Sequence, residues 1–123
     1  MITNFEDYTA ALTTYEKDVL VPTITNLLRT HVDSKNAIRN KEICRILTGQ
    51  GYQNLSEPRV RKIINYIRIN GFVPHLIANS RGYFCATSVQ QVEDYIKSLD
   101  ERATAIWAMR SALQRELSGK LFI

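Results

Sequence analysis

Phe5, Tyr8, Leu12 and Tyr15 recur at steps of three, four and three, the spacing of one face of a helix, with Asn4 ahead of them as N-cap. Val19 or Leu20 continues the stripe, and Ile24, Leu27, Leu28 and His31 mark one face of a second helical stretch ending near Val32. Pro22 interrupts this pattern. It removes an amide donor and pushes Val21 away from helical geometry, so residues 4–32 fit either one kinked helix or two helices. Asp33, Ser34, Lys35 and Asn36 read as a turn and Ala37-Ile38 as a very short strand. A helix over residues 39–47 then points Ile43, Ile46 and Leu47 inward.

Gly49 and Gly51 stop that helix, because two glycines within three residues make its continuation costly. Ser56, Glu57 and Pro58 start the next one: a serine cap, an acid at the positive end of the helix dipole, and a proline in the first turn. Val60, Ile63, Ile64 and Ile67 form its apolar face and Gly71 closes it. Residues 75–78 and 83–86 flank Asn79-Ser80-Arg81-Gly82 as a β-hairpin, with glycine placed for a left-handed turn position. Ser88 and Gln91 form a capping box for a last helix reaching about Leu117. Its apolar positions step by three and four and are broken only at Arg110. Thirty residues make a rod of roughly 45 Å, longer than a small domain covers.

The predicted fold class is mainly α with a small β component (α+β). It comprises an N-terminal helical extension (1–16), a central domain (17–99) and the remainder of the long helix (100–123). At 123 residues, 45% hydrophobic and 23% charged, the chain can bury a core without metal or disulfide support. Cys44 and Cys85 lie far apart and read as reduced, buried thiols. No apolar run reaches the roughly 20 residues of a membrane span, and the acidic Glu6-Asp7 is wrong for a secretory signal, so a cytoplasmic protein is expected.

Charge changes the picture more than composition does. Residues 35–83 hold nine of the sixteen Lys and Arg but only two of the twelve Asp and Glu, a net of +7 against −3 for the remainder. A basic centre between acidic ends points to a polyanionic partner. The order helix, short strand, helix, turn, helix, hairpin is that of a winged helix-turn-helix, whose helix before the hairpin enters the DNA major groove. Asn70-Gly71-Phe72-Val73-Pro74, then Ser80-Arg81-Gly82-Tyr83-Phe84, then Ala86-Thr87-Ser88 opening a helix, resembles the wing of bacterial and phage winged-helix proteins. The resemblance covers roughly residues 17–99. It implies binding to double-stranded DNA, as a transcriptional regulator or a phage-like replication accessory factor.

At about 100° per residue, the face opposite Val60, Ile64 and Ile67 centres on Pro58, Lys62, Asn65 and Ile69. Arg61 and Arg68 lie on one flank, Arg59 and Tyr66 on the other. Arginine pairs bidentately with guanine and asparagine with adenine, each giving roughly 1 to 3 kcal/mol of discrimination. Arg59, Arg61, Lys62 and Asn65 are therefore the expected base readers, and Arg68 a phosphate contact. Arg81 at the hairpin tip, with Asn79 and Ser80, is placed for a backbone or minor groove, and Arg39, Asn40 and Lys41 begin a helix suited to phosphate. Ile69 on the reading face is placed to touch a thymine methyl or to pack on the wing.

No catalytic constellation emerges, so no enzyme activity, small-molecule substrate, cofactor or metal is expected. His31, His75, Cys44 and Cys85 lack ligand spacing, Gly49-Gln50-Gly51 lacks the lysine of a phosphate-binding loop, and the adjacent acids do not face each other. Leu99, Ala103, Ile106, Trp107, Leu113 and Leu117 extend beyond the central domain; the stripe either folds back on the Phe5, Tyr8, Leu12 and Tyr15 face or, as expected, forms a homodimer, placing two reading helices on half-sites one DNA turn apart or a multiple of it. The alternative function is a protein-interaction adaptor on the same scaffold.

Overall fold

In the computed structural model, which describes residues 11–119, the first described helix begins at Thr14. Residues 11–13 are not helical, which corrects the expectation of one stripe running through Leu12 and Tyr15; the predicted cap Asn4 and face residues Phe5 and Tyr8 lie outside the described residues. A reciprocal capping box sets the start: the Thr13 amide donates to Glu16 Oε1 at 2.8 Å, and the Glu16 amide donates to Thr13 Oγ1 at 3.1 Å. The helix passes through a π-turn at Glu16–Leu20 and continues without a break as α1 (Val21–Arg29). The wider turn lies directly before Pro22, whose ring and missing amide disfavour ordinary i to i−4 bonding there. Proline is thus absorbed by one continuous helix.

Helices α2 (Asn40–Gly49) and α3 (Glu57–Asn70) follow. The Ser56 hydroxyl accepts the Arg59 amide at 3.3 Å, as the serine cap predicts. At the far end the Gly71 amide donates to Arg68 O and the Phe72 amide to Ile67 O, the paired bonds of a left-handed helix stop. Strands β1 (Leu76–Asn79) and β2 (Gly82–Cys85) pair antiparallel, with Asn79 opposite Gly82. The turn is one residue tighter at each end than predicted, because Asn79 Oδ1 accepts the Arg81 amide at 2.8 Å and closes it locally.

The other edge of β2 is also occupied. Ile38 forms an antiparallel bridge with Tyr83, and Val32 a parallel bridge with Cys85, so the short strand expected at Ala37-Ile38 is a one-residue bridge. Gly82 makes this approach possible. Its φ is +123°, and a Cβ there would lie 2.3 Å from the Ile38 carbonyl oxygen.

One core joins these elements. Leu20, Ile24 and Leu28 meet Ile43 and Leu47 of α2, the Val60, Ile63, Ile64 and Ile67 face of α3, and Leu76 and Tyr83 of the hairpin. Ile46, expected inside, is only half-buried. Helix α4 (Val89–Ser118) starts where predicted, with the Ser88 hydroxyl accepting the Gln91 amide at 3.2 Å. The described residues divide at that cap into two compact units, one ending at Thr87 and the other starting at Ser88. The described protein is mainly helical with a small two-stranded antiparallel sheet, and none of its described helices is long and apolar enough to cross a membrane.

Candidate nucleic-acid interface

Helix α3 presents its predicted polar residues unevenly. Pro58, Arg61 and Ile69 are exposed, with Ile69 at 79%, while Arg59, Lys62, Asn65 and Arg68 are half-buried. Lys62, one of the expected base readers, is paired inside the protein: its Nζ lies 3.1 Å from Oε1 of Glu16, a fully buried carboxylate, and its side chain is 18% exposed. Arg59 is also engaged, donating from Nη1 to the Asn54 carbonyl at 3.1 Å. Both residues lie toward the flank of α3 that the start of the first helix and the loop before Ser56 occupy. Tyr15 fastens that loop, its hydroxyl exchanging hydrogen bonds with the backbone of Gln53 at 3.2 and 3.3 Å.

The outward sector of α3 is therefore narrower than a two-element helical wheel predicts. It runs along Pro58, Arg61, Asn65 and Ile69, with Arg68 at its margin. Ile69 does not pack on the hairpin, so of its two expected roles the structure leaves the solvent-facing one.

A second cluster forms around the hairpin tip. Arg39, in extended conformation just before α2, donates from Nη2 to the Ser80 carbonyl at 3.1 Å, joining the start of α2 to the turn. Arg81 is exposed beside Ser80, and Lys41 is exposed at the second position of α2. Asn79 is held on both sides: its Nδ2 donates to Ser34 Oγ at 2.9 Å while its Oδ1 accepts the Arg81 amide. Asn40 is half-buried, and its Oδ1 is buried without a hydrogen-bond donor among the described residues. Asn79 thus shapes the turn, and Arg39 and Arg81 supply its charge.

Internal pairing accounts for part of the basic excess. Arg45 makes a bidentate pair with Glu42, which holds the Glu42 carboxyl below the ordinary range and raises the arginine further. Burial alone would raise the Glu16 carboxyl. The Thr13 amide and the Lys62 ammonium, with the more distant Arg59, outweigh it and leave the pKa lowered.

Sequence reasoning missed Glu16 as the partner of Lys62. The signal was present as Thr13-x-x-Glu16, a capping box that fixes both the helix start and the carboxylate. Among the described residues no three His, Cys, Asp or Glu side chains gather as metal ligands. Cys44 and Cys85 are free and half-buried, and burial raises both thiols. No protein-family model, no curated protein and no solved structure matches this chain.

Proposed function

We propose that residues 17–87 form a winged helix-turn-helix that binds double-stranded DNA, as a regulator or a replication accessory factor, with α3 as the reading helix and the β1-β2 hairpin as the wing. The element order supports this, together with the bridge from Ile38 to Tyr83 that stands where the short first strand of such a domain belongs. Arg61 and Asn65 are the base readers. Arg39, Lys41, Arg68 and Arg81 contact phosphate or the minor groove.

One observation carries the proposal: the Arg39 bond to the Ser80 carbonyl, which holds the basic start of α2 against the turn that bears Arg81, two separate stretches of chain. Basic side chains brought together from two stretches of chain are suited to phosphate. Fluorescence anisotropy on random duplex across a salt series tests it. Arg81→Ala and Lys41→Ala should each weaken binding on all sequences and lower the salt slope by about one, and Arg61→Ala should relax sequence preference. Salt-independent or absent binding of the intact chain would overturn the proposal.

A second function has one observation in its favour. Ile69 and Phe72 are exposed at the end of α3, 79% and 40% respectively, an apolar pair suited to docking a protein. An adaptor would show no duplex affinity at any salt and would lose its protein partner on Ile69→Asp.

A further inference from the structure

None of the thirty residues of α4 is buried, and Ile96, Leu99, Ile106, Trp107, Leu113 and Leu117 are each more than 40% exposed. The apolar stripe is more regular than an amphipathic surface requires. From Val92 to Leu117 the seam positions step by four and three in strict alternation, all apolar except Arg110, the heptad spacing of a coiled-coil seam sustained over nearly four heptads. Val92, Leu99, Ile106 and Leu113 take the d positions, and Ile96, Ala103, Arg110 and Leu117 the a positions.

We infer that α4 pairs with α4 of a second copy of this chain and that the two helices run antiparallel. This inference is independent of nucleic-acid binding and gives a direction to the self-association expected from the sequence. Arg110 decides the direction. Its guanidinium carbon stands 4.7 Å from the centre of the Trp107 ring, so the charge is drawn from the seam toward the edge that carries the e positions.

In a parallel pair each a residue meets its own copy, and each e edge faces the partner's g edge. Arg110 would then oppose Arg110 of the partner subunit, and Trp107 would face Arg102 of the partner subunit, gathering like charges at a desolvating seam. An antiparallel pair opposes a with d and e with e. With full overlap, Ile96 meets Leu113 of the partner subunit, Ala103 meets Ile106 of the partner subunit, and Arg110 meets Leu99 of the partner subunit. The Trp107-Arg110 stack then lies beside Asp100 of the partner subunit, once on each side of the two-fold axis.

Shifting the register by a heptad toward the amino termini would set Asp100 against its own copy, so charge also selects full overlap. The two halves of the helix agree with this direction. Residues 89–103 carry four acids against two bases, and residues 104–118 carry two bases against one acid. Antiparallel pairing sets the acidic half against the basic one. It also places the two Ser88 caps at opposite ends of a rod roughly 45 Å long.

Full-length Ile96→Cys and Leu113→Cys proteins, mixed in equal amounts under mild oxidation, test the inference. A mixed disulfide dimer should form, while neither variant alone should crosslink above the wild-type background set by Cys44 and Cys85. Arg110→Asp should weaken the dimer at least about tenfold in sedimentation equilibrium, and adding Asp100→Arg should restore it. Self-crosslinking of Ile96→Cys alone, failure of the charge exchange to rescue, or a wild-type chain that stays monomeric at high micromolar concentration would each overturn it.

Discussion

Replacing Lys62 with methionine should destabilise the protein while leaving the proposed duplex binding almost unchanged. Methionine keeps most of the aliphatic stem and deletes the ammonium, so Glu16 remains fully buried with the Thr13 amide as its principal compensation. Removing one member of a buried pair costs about 3 to 5 kcal/mol. Lys62 retains some exposure and the Thr13 bond survives, which places the expected loss near the lower end, about 3 kcal/mol. At a urea slope of about 2 kcal/mol/M, that lowers the unfolding midpoint by roughly 1.5 M with the slope unchanged.

The pH dependence gives a second readout. In the wild type the folded-state pKa of Glu16 is lowered, so the pair adds stability above the ordinary glutamate pKa, and that stability is lost as pH falls through the folded-state value. In Lys62→Met burial becomes the dominant influence and raises the carboxyl. The gap between variant and wild type should therefore narrow on acidification, and Glu16→Gln with Lys62→Met should cost less than the sum of the single changes. A loss below about 0.5 kcal/mol that does not vary with pH would show that no buried pair exists and return Lys62 to the outward face.

Two further outcomes follow from the fold. Gly82→Ala should destabilise by about 2 kcal/mol or more, measured by thermal or urea unfolding, because it combines a positive φ with a backbone oxygen 2.3 Å away; a change under about 0.5 kcal/mol would mean that the hairpin does not approach Ile38 this closely. Cys44 and Cys85, their thiols raised chiefly by burial, should alkylate at pH 7 more slowly than an unfolded control and accelerate only as pH rises above the ordinary thiol range; faster reaction than the control would contradict their placement.

What was legible in the sequence was mostly local. Ser56 and Ser88 cap helices because a hydroxyl reaches an amide three residues on, and Gly71 ends α3 through bonds to carbonyls three and five residues back; neither needs a distant partner. The apolar face of α3 was equally plain, since Val60, Ile63, Ile64 and Ile67 share one side of a helix whatever they pack against. The break at residues 11–13 is hidden in the sequence because the apolar stripe through Leu12 and Tyr15 runs on across it, while the capping signal at Thr13 and Glu16 marks it. A stripe reports which face is buried, whereas a cap reports where the backbone starts.

The candidate site shows the same division more sharply. A helical wheel separates core from solvent on the assumption that only one side of α3 is covered. Here a second flank is covered by chain from another part of the sequence, so Lys62 sits outward on the wheel yet meets a buried carboxylate 46 positions earlier. Periodicity within one element carries no record of that contact. Charge matching carried part of it, because Glu16 is one of few acids near the basic centre and a buried acid needs a cation.

Arg39 extends this logic to binding. Its guanidinium holds the Ser80 carbonyl, and the hairpin beyond is fixed along β2 by Ile38 on one edge and β1 on the other. The tip bearing Arg81 is consequently held on an ordered backbone instead of a free loop, which would limit the conformational entropy lost in the proposed phosphate contact. If Arg39 acts chiefly by holding the tip, Arg39→Lys should weaken duplex binding although the charge is retained, since the flexible ammonium does not reproduce the planar fork's directed bond. If it acts only as a charge, Arg39→Lys should bind as the wild type does and Arg39→Ala should remove about one unit of salt slope. The two roles are thus separable at a single position by comparing lysine with alanine across one salt series.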